Sequence, residues 1–411
     1  MKRKFDYGYI VAFICFFIAF FYVGYANNTG SLYVVPVTSR YGFNRAEFSL
    51  IFSIVSIITI FANLAFVKLY RRLGIKKIVV FGAFSCAAAF FVYYKSTKLM
   101  HFYIGAFLFG IGHTYTNMIV FSLLINSWFT ENRGTILGLI SAGSGFGGSV
   151  MSPLVGYIIS IYGFKQSYLI SSIILFILII PIVLFVKENP VEHFENNSEE
   201  TINFKRKTSG QLLKEPSVIL GLTVIFLMAL LIAPWLNVLP SHLMDRGFDE
   251  LFASKILGGV MFIMALAKIF VGAIHDKIGI KAAIGICLIS FVISSVLLLI
   301  VKSKFIAWMF AVLFGISLSA LSVLLPLFTS AIAGDEYLSD IIGIASALVG
   351  AGIALGTPII NFTYDLTGSN NMILIIFTIL GILNMILTYI TLKKAGNTRT
   401  PVTELWIPIA M

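Results

Sequence analysis

One lysine lies inside an apolar run that is long enough to cross a membrane. Lys268 belongs to the segment Ala265–Gly272, about 7.5 Å past the middle of its predicted helix at the helical rise. Burial of an ammonium group in lipid is unfavourable unless the group is paired or hydrated. All acidic residues fall in predicted loops or at helix ends, so the sequence predicts that Lys268 binds an anion from outside the chain. The alternative is that its side chain extends to the membrane surface.

A histidine lies near the middle of another apolar run. His113 belongs to the segment Gly110–Asn117. Histidine titrates near neutral pH, so His113 is a candidate both for binding a polar solute and for carrying a coupled proton. A neutral histidine that is hydrogen-bonded between helices is the alternative. Tyr115 and Asn117 are further candidate donors, although one helix cannot direct all three side chains to the same cavity.

Other polar side chains inside apolar runs complete the set of candidate binding residues. Tyr25 and Asn28 lie in the first run and Asn237 in the seventh, and each could instead bond to a neighbouring helix. The three cysteines also lie inside apolar runs, which favours small core residues over a disulfide or a metal site. The sequence therefore predicts no metal, no cofactor and no catalytic residue.

Composition places these residues in a membrane protein. The chain has 411 residues, of which 59% are hydrophobic and 11% charged, whereas soluble domains are about 25% charged. The net charge of +11 comes from short basic clusters between apolar runs, which is typical of membrane flanks and not of a nucleic-acid-binding surface. An enzyme is not indicated, because the sequence has no HExxH motif, no acid pair within a predicted helix and no Ser/His/Asp pattern in a soluble domain. It has no Walker A motif either, which argues against transport driven by ATP hydrolysis on this chain.

A helix needs about 20 apolar residues to cross a bilayer, and this length predicts twelve membrane-spanning helices. Their approximate spans are 8–36, 46–67, 77–95, 101–128, 134–162, 167–187, 217–242, 252–273, 281–301, 305–332, 341–364 and 371–392. The charged segment 188–215 is predicted to be a cytoplasmic linker between two six-helix bundles, 1–187 and 216–411, the second of which ends in a short cytoplasmic tail.

The distribution of Lys and Arg predicts the orientation. Segments on the side of the N-terminus carry roughly twice as many basic residues as those on the other side, which favours a cytoplasmic location for both termini. We expect a multi-pass protein of the plasma membrane that is surrounded by lipid and functions as a monomer.

The two bundles repeat at an offset of 205 residues. Leu73-Gly74-Ile75-Lys76 falls on Ile278-Gly279-Ile280-Lys281, and further Gly and Pro positions coincide at the same offset. They are Gly138, Gly145, Gly147, Pro153 and Gly163, which fall on Gly343, Gly350, Gly352, Pro358 and Gly368. Both copies have the same topology, so the repeat is parallel. This arrangement predicts two similar bundles with a polar cavity between them.

With this parallel repeat and a motif between its helices, the chain resembles the major facilitator superfamily. The family's signature between helices 2 and 3 has a well-formed second copy here, in Gly272, Asp276, Lys277, Gly279 and Lys281, and the resemblance implies that these residues act in gating. The first copy is degenerate, with Tyr70 roughly where the acid belongs. The alternative is that the basic residues only fix the topology.

Shorter motifs resemble the monocarboxylate transporters and the oxalate:formate antiporter group. They are Gly42-Phe43-Asn44-Arg45-Ala46, Trp128-Phe129 with Arg133-Gly134, and Gly143–Gly148 with Pro153. In these families a cation four residues before the signature glycine binds the substrate carboxylate, and Lys268 has that position before Gly272.

Three positions depart from the pattern of these families. Met264 stands where animal monocarboxylate transporters often carry an Asp, and Asn28 stands where they carry a Lys. The second Lys of oxalate exchangers, on helix 11, is absent. A single fixed cation suits a monocarboxylate better than a dicarboxylate.

The resemblance implies a secondary transporter for small monocarboxylates such as lactate, pyruvate or formate, working by alternating access as a proton symporter or an anion exchanger. Its expected partners are a carboxylate and, in the symport case, protons. The alternative is a major facilitator carrier for another small solute, including an oxalate-type dicarboxylate, with Lys268 in a structural role.

Overall fold

The computed structural model describes residues 7–129, 133–187, 212, 214–334 and 337–397. Within these ranges the regular structure is entirely helical. A helix satisfies its own backbone hydrogen bonds, which is the requirement for an apolar segment in lipid. Eleven of the described helical segments are long and apolar enough to span a membrane.

One of these segments contains two membrane-crossing helices. It covers Ile136–Phe185, and its 50 residues would extend about 75 Å as one straight helix, more than twice the thickness of the hydrocarbon core. The backbone leaves the helical region at Gly163, with φ 81° and ψ 164°. The described chain therefore has twelve spanning helices, as predicted.

The helices of the first half are α1 (Tyr7–Tyr41), α2 (Arg45–Leu73), α3 (Ile75–Lys95), α4 (Leu99–Trp128), and α5 and α6, which share Arg133–Ile177 and Ile179–Phe185. Those of the second half are α7 (Pro216–Asp245), α8 (Glu250–Ile278), α9 (Ile280–Leu299), α10 (Lys304–Ala333), α11 (Leu338–Thr367) and α12 (Asn371–Asn397).

Several helices extend beyond their predicted ends, and α2, for example, continues from the predicted residue 67 to Leu73. α8 continues to Ile278, so Asp276 and Lys277 lie in its last turn, and α1 continues to Tyr41. Polar residues can continue a helix past the apolar run that identifies it, because the backbone bonds do not depend on hydropathy. Most of the predicted linker, 188–215, lies outside the described residues.

The helices alternate in direction, which gives the bundle two ends. The Arg45 end carries the connections α1–α2 and α7–α8. The Gly279 end carries the connections α2–α3 and α8–α9, together with the first and last described residues, Tyr7 and Asn397.

The predicted repeat is visible in the backbone. Gly42, Gly74 and Gly163 have positive φ, and so do the residues 205 positions later, Gly247, Gly279 and Gly368. Residues with a Cβ rarely adopt such angles, so these connections need glycine.

The same repeat appears in the helix packing. A Cβ added at Gly110 would lie 2.8 Å from Ile58 Cβ, and one added at Gly315 would lie 2.8 Å from Ile263 Cβ. Between the halves, Gly145 faces Ala265 and Gly350 faces Ile60. Each of these two contacts maps onto the other at the offset of 205, as a two-fold relation between the halves requires.

Several helices are locally irregular within their span. α1 contains a π-helical segment, Ala19–Asn27, and α10 contains another, Ala320–Leu324. α4 is interrupted at Thr116 and Asn117, and α7 at Ala233 before Pro234. Such irregular turns often occur at functional sites.

Candidate functional site

A cavity of about 350 Å³ lies between the two halves. Its walls come from α1, α2, α3, α4 and α6 of the first half and from α7 and α11 of the second. The polar residues among its lining are Asn27, Tyr33, Ser56, Thr59, Asn63, Tyr93, His113, Tyr168, Asn237 and Ser346. Of the described lining residues none is Lys, Arg, Asp or Glu, so the mostly apolar wall carries neutral polar groups and no fixed charge.

His113 lies on the cavity wall, with its ring stacked on Phe109 at a centroid distance of 5.9 Å. Asn117 fixes its tautomer. The Asn117 Oδ1 atom accepts from the Met118 amide at 2.7 Å, which directs Nδ2 to donate to His113 Nε2 at 3.2 Å. A neutral His113 therefore carries its proton on Nδ1. Among the described residues Nδ1 has no hydrogen-bond partner.

Asn117 and Tyr115 do not line the cavity. Asn117 orients His113 and caps the second part of α4. The Tyr115 hydroxyl donates to Ala62 O at 3.3 Å, and the side chain is 4% exposed. Of the three candidates on this helix, only His113 faces the cavity.

The candidates on α1 and α7 also divide into residues that line the cavity and residues that do not. Asn237 lines the cavity and donates to Thr357 Oγ1 at 3.1 Å. Asn28 bridges the two halves, because its Nδ2 lies 3.3 Å from Ser144 O and 3.4 Å from Met261 Sδ. Tyr25 is buried within the first half and bonds to Ser171. The sequence identified these side chains as polar and deep, but the helix rotation decides which of them reach the cavity.

Lys268 is half-buried and does not line this cavity. It has no ion pair and no side-chain hydrogen bond within the part of the chain that the structure describes. Its position belongs to one stripe of α8, whose members recur every three or four residues: Ser254, Gly258, Met261, Ala265, Lys268 and Gly272.

The first four residues of this stripe pack against α5. Ser254 contacts Gly156, Gly258 contacts Ser149 and Pro153, Met261 contacts Gly148, and Ala265 contacts Gly145. Small residues let the two backbones approach closely.

The contact between α5 and α8 ends at Lys268. A Cβ added at Gly138, on α5 beyond Gly145, would meet nothing within 4 Å. One added at Gly272, beyond Lys268, would meet only Val323, at 3.9 Å. Lys268 therefore lies where α5 and α8 separate toward the Gly279 end.

The repeat relates Lys268 to a residue of the cavity wall. Subtracting 205 from 268 gives Asn63 on α2, which lines the cavity and is exposed in it. Residues related by the two-fold axis lie at the same depth, so Lys268 and Asn63 occupy equivalent levels on opposite sides of this axis.

Sequence reasoning missed several wall residues. Asn63, Thr59 and Ser56 on α2 and Ser346 on α11 line the cavity, although none was a candidate. The offset of 205 from Lys268 would have indicated Asn63. Ser56, Thr59 and Asn63 are also spaced for one helix face, but isolated polar residues in an apolar run gave no signal of their own.

The two halves are joined at the Arg45 end. Arg45 of the first half makes a bidentate ion pair with Asp245 of the second, at 2.6 and 2.8 Å. Tyr364 donates to Asp245 at 3.1 Å, and its ring lies 4.1 Å below the Arg45 guanidinium. Asp365 accepts from the Arg45 and Ala46 amides. This network closes the Arg45 end.

The predicted gating residues lie at the opposite end. Asp276, Lys277 and Lys281 are exposed, and Gly272 and Gly279 are half-buried. Asp276 pairs with His275 of its own helix at 3.2 Å. The described residues give Lys277 and Lys281 no ion pair, so in this conformation the motif does not hold the halves together; its gating role stays a prediction.

The architecture defines the class of protein. Two repeated six-helix bundles, closed by an ion pair at one end and enclosing a cavity, form an integral, multi-pass membrane transporter.

The family follows from comparison with known proteins. The family model of the Major Facilitator Superfamily matches residues 12–357, and again 250–409. The chain belongs to this superfamily, and its members among the relatives below are transporters, not enzymes.

The names of two sequence relatives give a substrate. The chain is 25% identical over 202 residues to the hexuronate transporter of Bacillus subtilis (strain 168), and 22% identical over 276 residues to the sialic acid transporter NanX of Escherichia coli (strain K12). The matches cover 47% and 64% of this chain, and 46% and 65% of those proteins. The chain thus spans less than two thirds of either relative. The monocarboxylate and oxalate:formate subgroup is not confirmed by them.

Solved structures share the fold. A bacterial homologue of the human lysosomal transporter Spinster, in an inward-facing and unoccupied conformation, has a TM-score of 0.77 over 97% of this chain and 100% of that chain, at 12% identity. The nucleoside transporter NupG has a TM-score of 0.72 over 94% and 99%, at 13% identity.

Proposed function

We propose that the protein is a secondary active carrier of small organic acids with one carboxylate, and that Lys268 is the cation that binds this carboxylate. The observation that carries the proposal is a half-buried lysine without an anionic partner among the described residues, at the point where α5 and α8 separate. An unpaired charge inside a membrane protein is unfavourable unless water or an anion reaches it. A substrate carboxylate would supply the missing charge.

The two-fold relation supports access to Lys268 from the central space. Its counterpart Asn63 lines the cavity, so the stripe of α8 that carries Lys268 corresponds to a cavity-facing stripe of α2. Snorkelling toward the Gly279 end remains the competing role for Lys268.

The closed Arg45 end supports alternating access. We propose that the Gly279 end, which carries both described termini and the basic clusters, faces the cytoplasm of a cell whose plasma membrane holds the protein. On this proposal the conformation is inward-facing, and opening of the Arg45 network exposes the cavity to the outside.

The named relatives support a carboxylate substrate. Hexuronates and sialic acids are sugar acids, and each carries a carboxylate. They also extend the proposal beyond lactate, pyruvate and formate, since a cavity of about 350 Å³ has room for a larger acid. Because the site offers one fixed cation, we propose a substrate with one carboxylate and not with two.

Uptake into proteoliposomes tests this function. Labelled lactate, pyruvate, formate, oxalate and glucuronate are offered with and without a pH gradient, to wild type, Lys268→Ala and Lys255→Ala. Lys255 is a matched control because it is an exposed lysine of the same helix. We expect Lys268→Ala to lose uptake of every acid that wild type carries, and Lys255→Ala to keep it. Uptake by Lys268→Ala at the wild-type rate would refute the proposed role of Lys268.

A further inference from the structure

We infer that the first-half wall of the cavity binds hydroxyl groups, so that the preferred substrates are hydroxylated organic acids. This inference rests on the proposed function for the carboxylate and adds a second subsite on the opposite half. The residues that carry it are Thr59 and Asn63 of α2, His113 of α4 and Asn27 of α1, all of which line the cavity.

The polar groups of this wall are uncharged, and they include both hydrogen-bond donors and acceptors. Asparagine amides and threonine hydroxyls both donate and accept hydrogen bonds, whereas a carboxylate only accepts and an ammonium only donates. A hydroxyl group also donates and accepts, so it is the matching partner. The side chain of Asn63 is exposed in the cavity and has no described hydrogen bond, which leaves its amide available.

Two buried polar atoms of this wall have no partner among the described residues: Thr59 Oγ1 and His113 Nδ1. Native proteins leave few such atoms unsatisfied. His113 Nδ1 carries the proton of the neutral ring, because Nε2 accepts from Asn117, so it needs an acceptor. The Thr59 hydroxyl gives up no described bond when it rotates toward the cavity.

Thr59 and His113 lie at the same level of neighbouring helices. On one side of this level, a Cβ at Gly110 would lie 2.8 Å from Ile58 Cβ. On the other side, Tyr115 bonds to Ala62 O at 3.3 Å. Tight contacts therefore hold α2 and α4 together on both sides of the two unsatisfied atoms, so both atoms lie just beneath the same part of the cavity wall.

The second half lacks this surface. The α2 stripe Ser56, Thr59 and Asn63 corresponds, at the offset of 205, to Met261, Met264 and Lys268 on α8. Three neutral polar residues in the first half thus correspond to two methionines and a lysine in the second half. This asymmetry orients the substrate, with its carboxylate toward α8 and its hydroxyl groups toward α2 and α4.

Three matched probes test the inference on the purified protein by ligand-dependent thermal stabilisation. Glucuronate carries the carboxylate and hydroxyls, tetrahydropyran-2-carboxylate lacks the hydroxyls, and xylose lacks the carboxylate. We expect wild type to bind glucuronate at least about 30-fold more tightly than tetrahydropyran-2-carboxylate, because buried polar groups left unpaired discriminate strongly.

The variants Thr59→Val and Asn63→Leu should each reduce this ratio by about 2- to 12-fold, the range that one neutral hydrogen bond covers. Thr223→Val, an exposed threonine of α7, should leave the ratio unchanged. Lys268→Ala should weaken the binding of both acids by the same factor, so the ratio of their affinities should also stay unchanged.

Equal binding of the two acids by wild type, an unchanged ratio in both α2 variants, or no stabilisation by any probe would overturn the inference. Failure of the proposed function gives a different pattern. If Lys268→Ala binds both acids like wild type while xylose and glucuronate bind equally, the hydroxyl subsite stands and the carboxylate role of Lys268 falls.

Discussion

Lys268 and Asn63 show how one exchanged residue makes two similar halves chemically different. The repeat gives both residues the same depth and the same helix face, but one brings a positive charge and the other a neutral amide. Lysine is a compact point charge without the bidentate geometry of arginine. The orientation of a bound acid therefore has to come from its other contacts, which on the inference above are those of its hydroxyl groups with the first-half wall.

His113 provides the prediction for coupling. If His113 carries the coupled proton, Nε2 takes it up and gives up the bond from Asn117, because Nδ1 already holds the proton of the neutral ring. His113→Gln should then abolish uptake driven by a pH gradient, while exchange of internal for external substrate continues. His101→Gln is the control, because His101 is exposed at the start of the same helix. Counterflow and pH-driven uptake are measured in the same vesicles. Wild-type levels of pH-driven uptake in His113→Gln would assign this histidine to structure.

For single residues, the sequence predicted which side chains are polar and deep better than it predicted the direction in which each one points. His113 and Asn237 reach the cavity, whereas Tyr25 and Tyr115 pack inside the first half. Helices in a membrane protein are apolar on both the lipid side and the core side, so hydropathy says little about their rotation. A polar residue is therefore easy to find in such a helix, but its direction is hard to predict.

Glycines control the approach of neighbouring helices, and α5 offers a matched pair for a test. A Cβ at Gly147 would overlap the backbone carbonyl of Phe20 on α1, whereas one at Gly138 would meet nothing within 4 Å. We expect Gly147→Ala to destabilise the protein by about 1–3 kcal/mol through overpacking. Gly138→Ala should be neutral or slightly stabilising, since alanine favours the helix.

Thermal unfolding of the two purified variants checks this expectation. Unfolding of Gly147→Ala at the wild-type temperature, or a lower unfolding temperature for Gly138→Ala than for Gly147→Ala, would contradict a close contact between α5 and α1 at Gly147.

Helix number and repeat were predictable because lipid imposes a fixed helix length and because glycines recur at one offset. The irregular turns of α1, α4, α7 and α10 were not predicted. Prolines are local signals for two of them, since Pro234 follows the irregular turn of α7 and Pro326 follows the π-helical segment of α10. These turns matter because the polar residues near them include Asn27 and His113.

For the whole molecule, the Arg45 network is expected to set the balance between two conformations. Arg45→Ala removes the bidentate pair with Asp245, and charge-assisted bonds of this kind contribute about 1.5–3 kcal/mol. The population should shift toward opening of the Arg45 end by roughly 10- to 150-fold at that cost. Arg40→Ala, at an exposed position of the same end, is the control.

Distances between spin labels on α1 and α7 at the Arg45 end measure this shift. A longer distance in Arg45→Ala, and an unchanged one in Arg40→Ala, is the expected result. If both variants keep the wild-type distance, packing along α2–α11 and α5–α8 closes this end without the ion pair.

The role of Lys268 is tested most directly by binding, free of any question of coupling or direction. Purified wild type, Lys268→Ala, Lys268→Arg and Lys255→Ala are compared by the concentration of glucuronate that raises their unfolding temperature. Loss of a charged hydrogen bond of about 1.5–3 kcal/mol predicts a 10- to 150-fold higher concentration for Lys268→Ala, with an intermediate effect for Lys268→Arg and none for Lys255→Ala. Stabilisation of Lys268→Ala at wild-type concentrations would show that Lys268 does not bind the carboxylate.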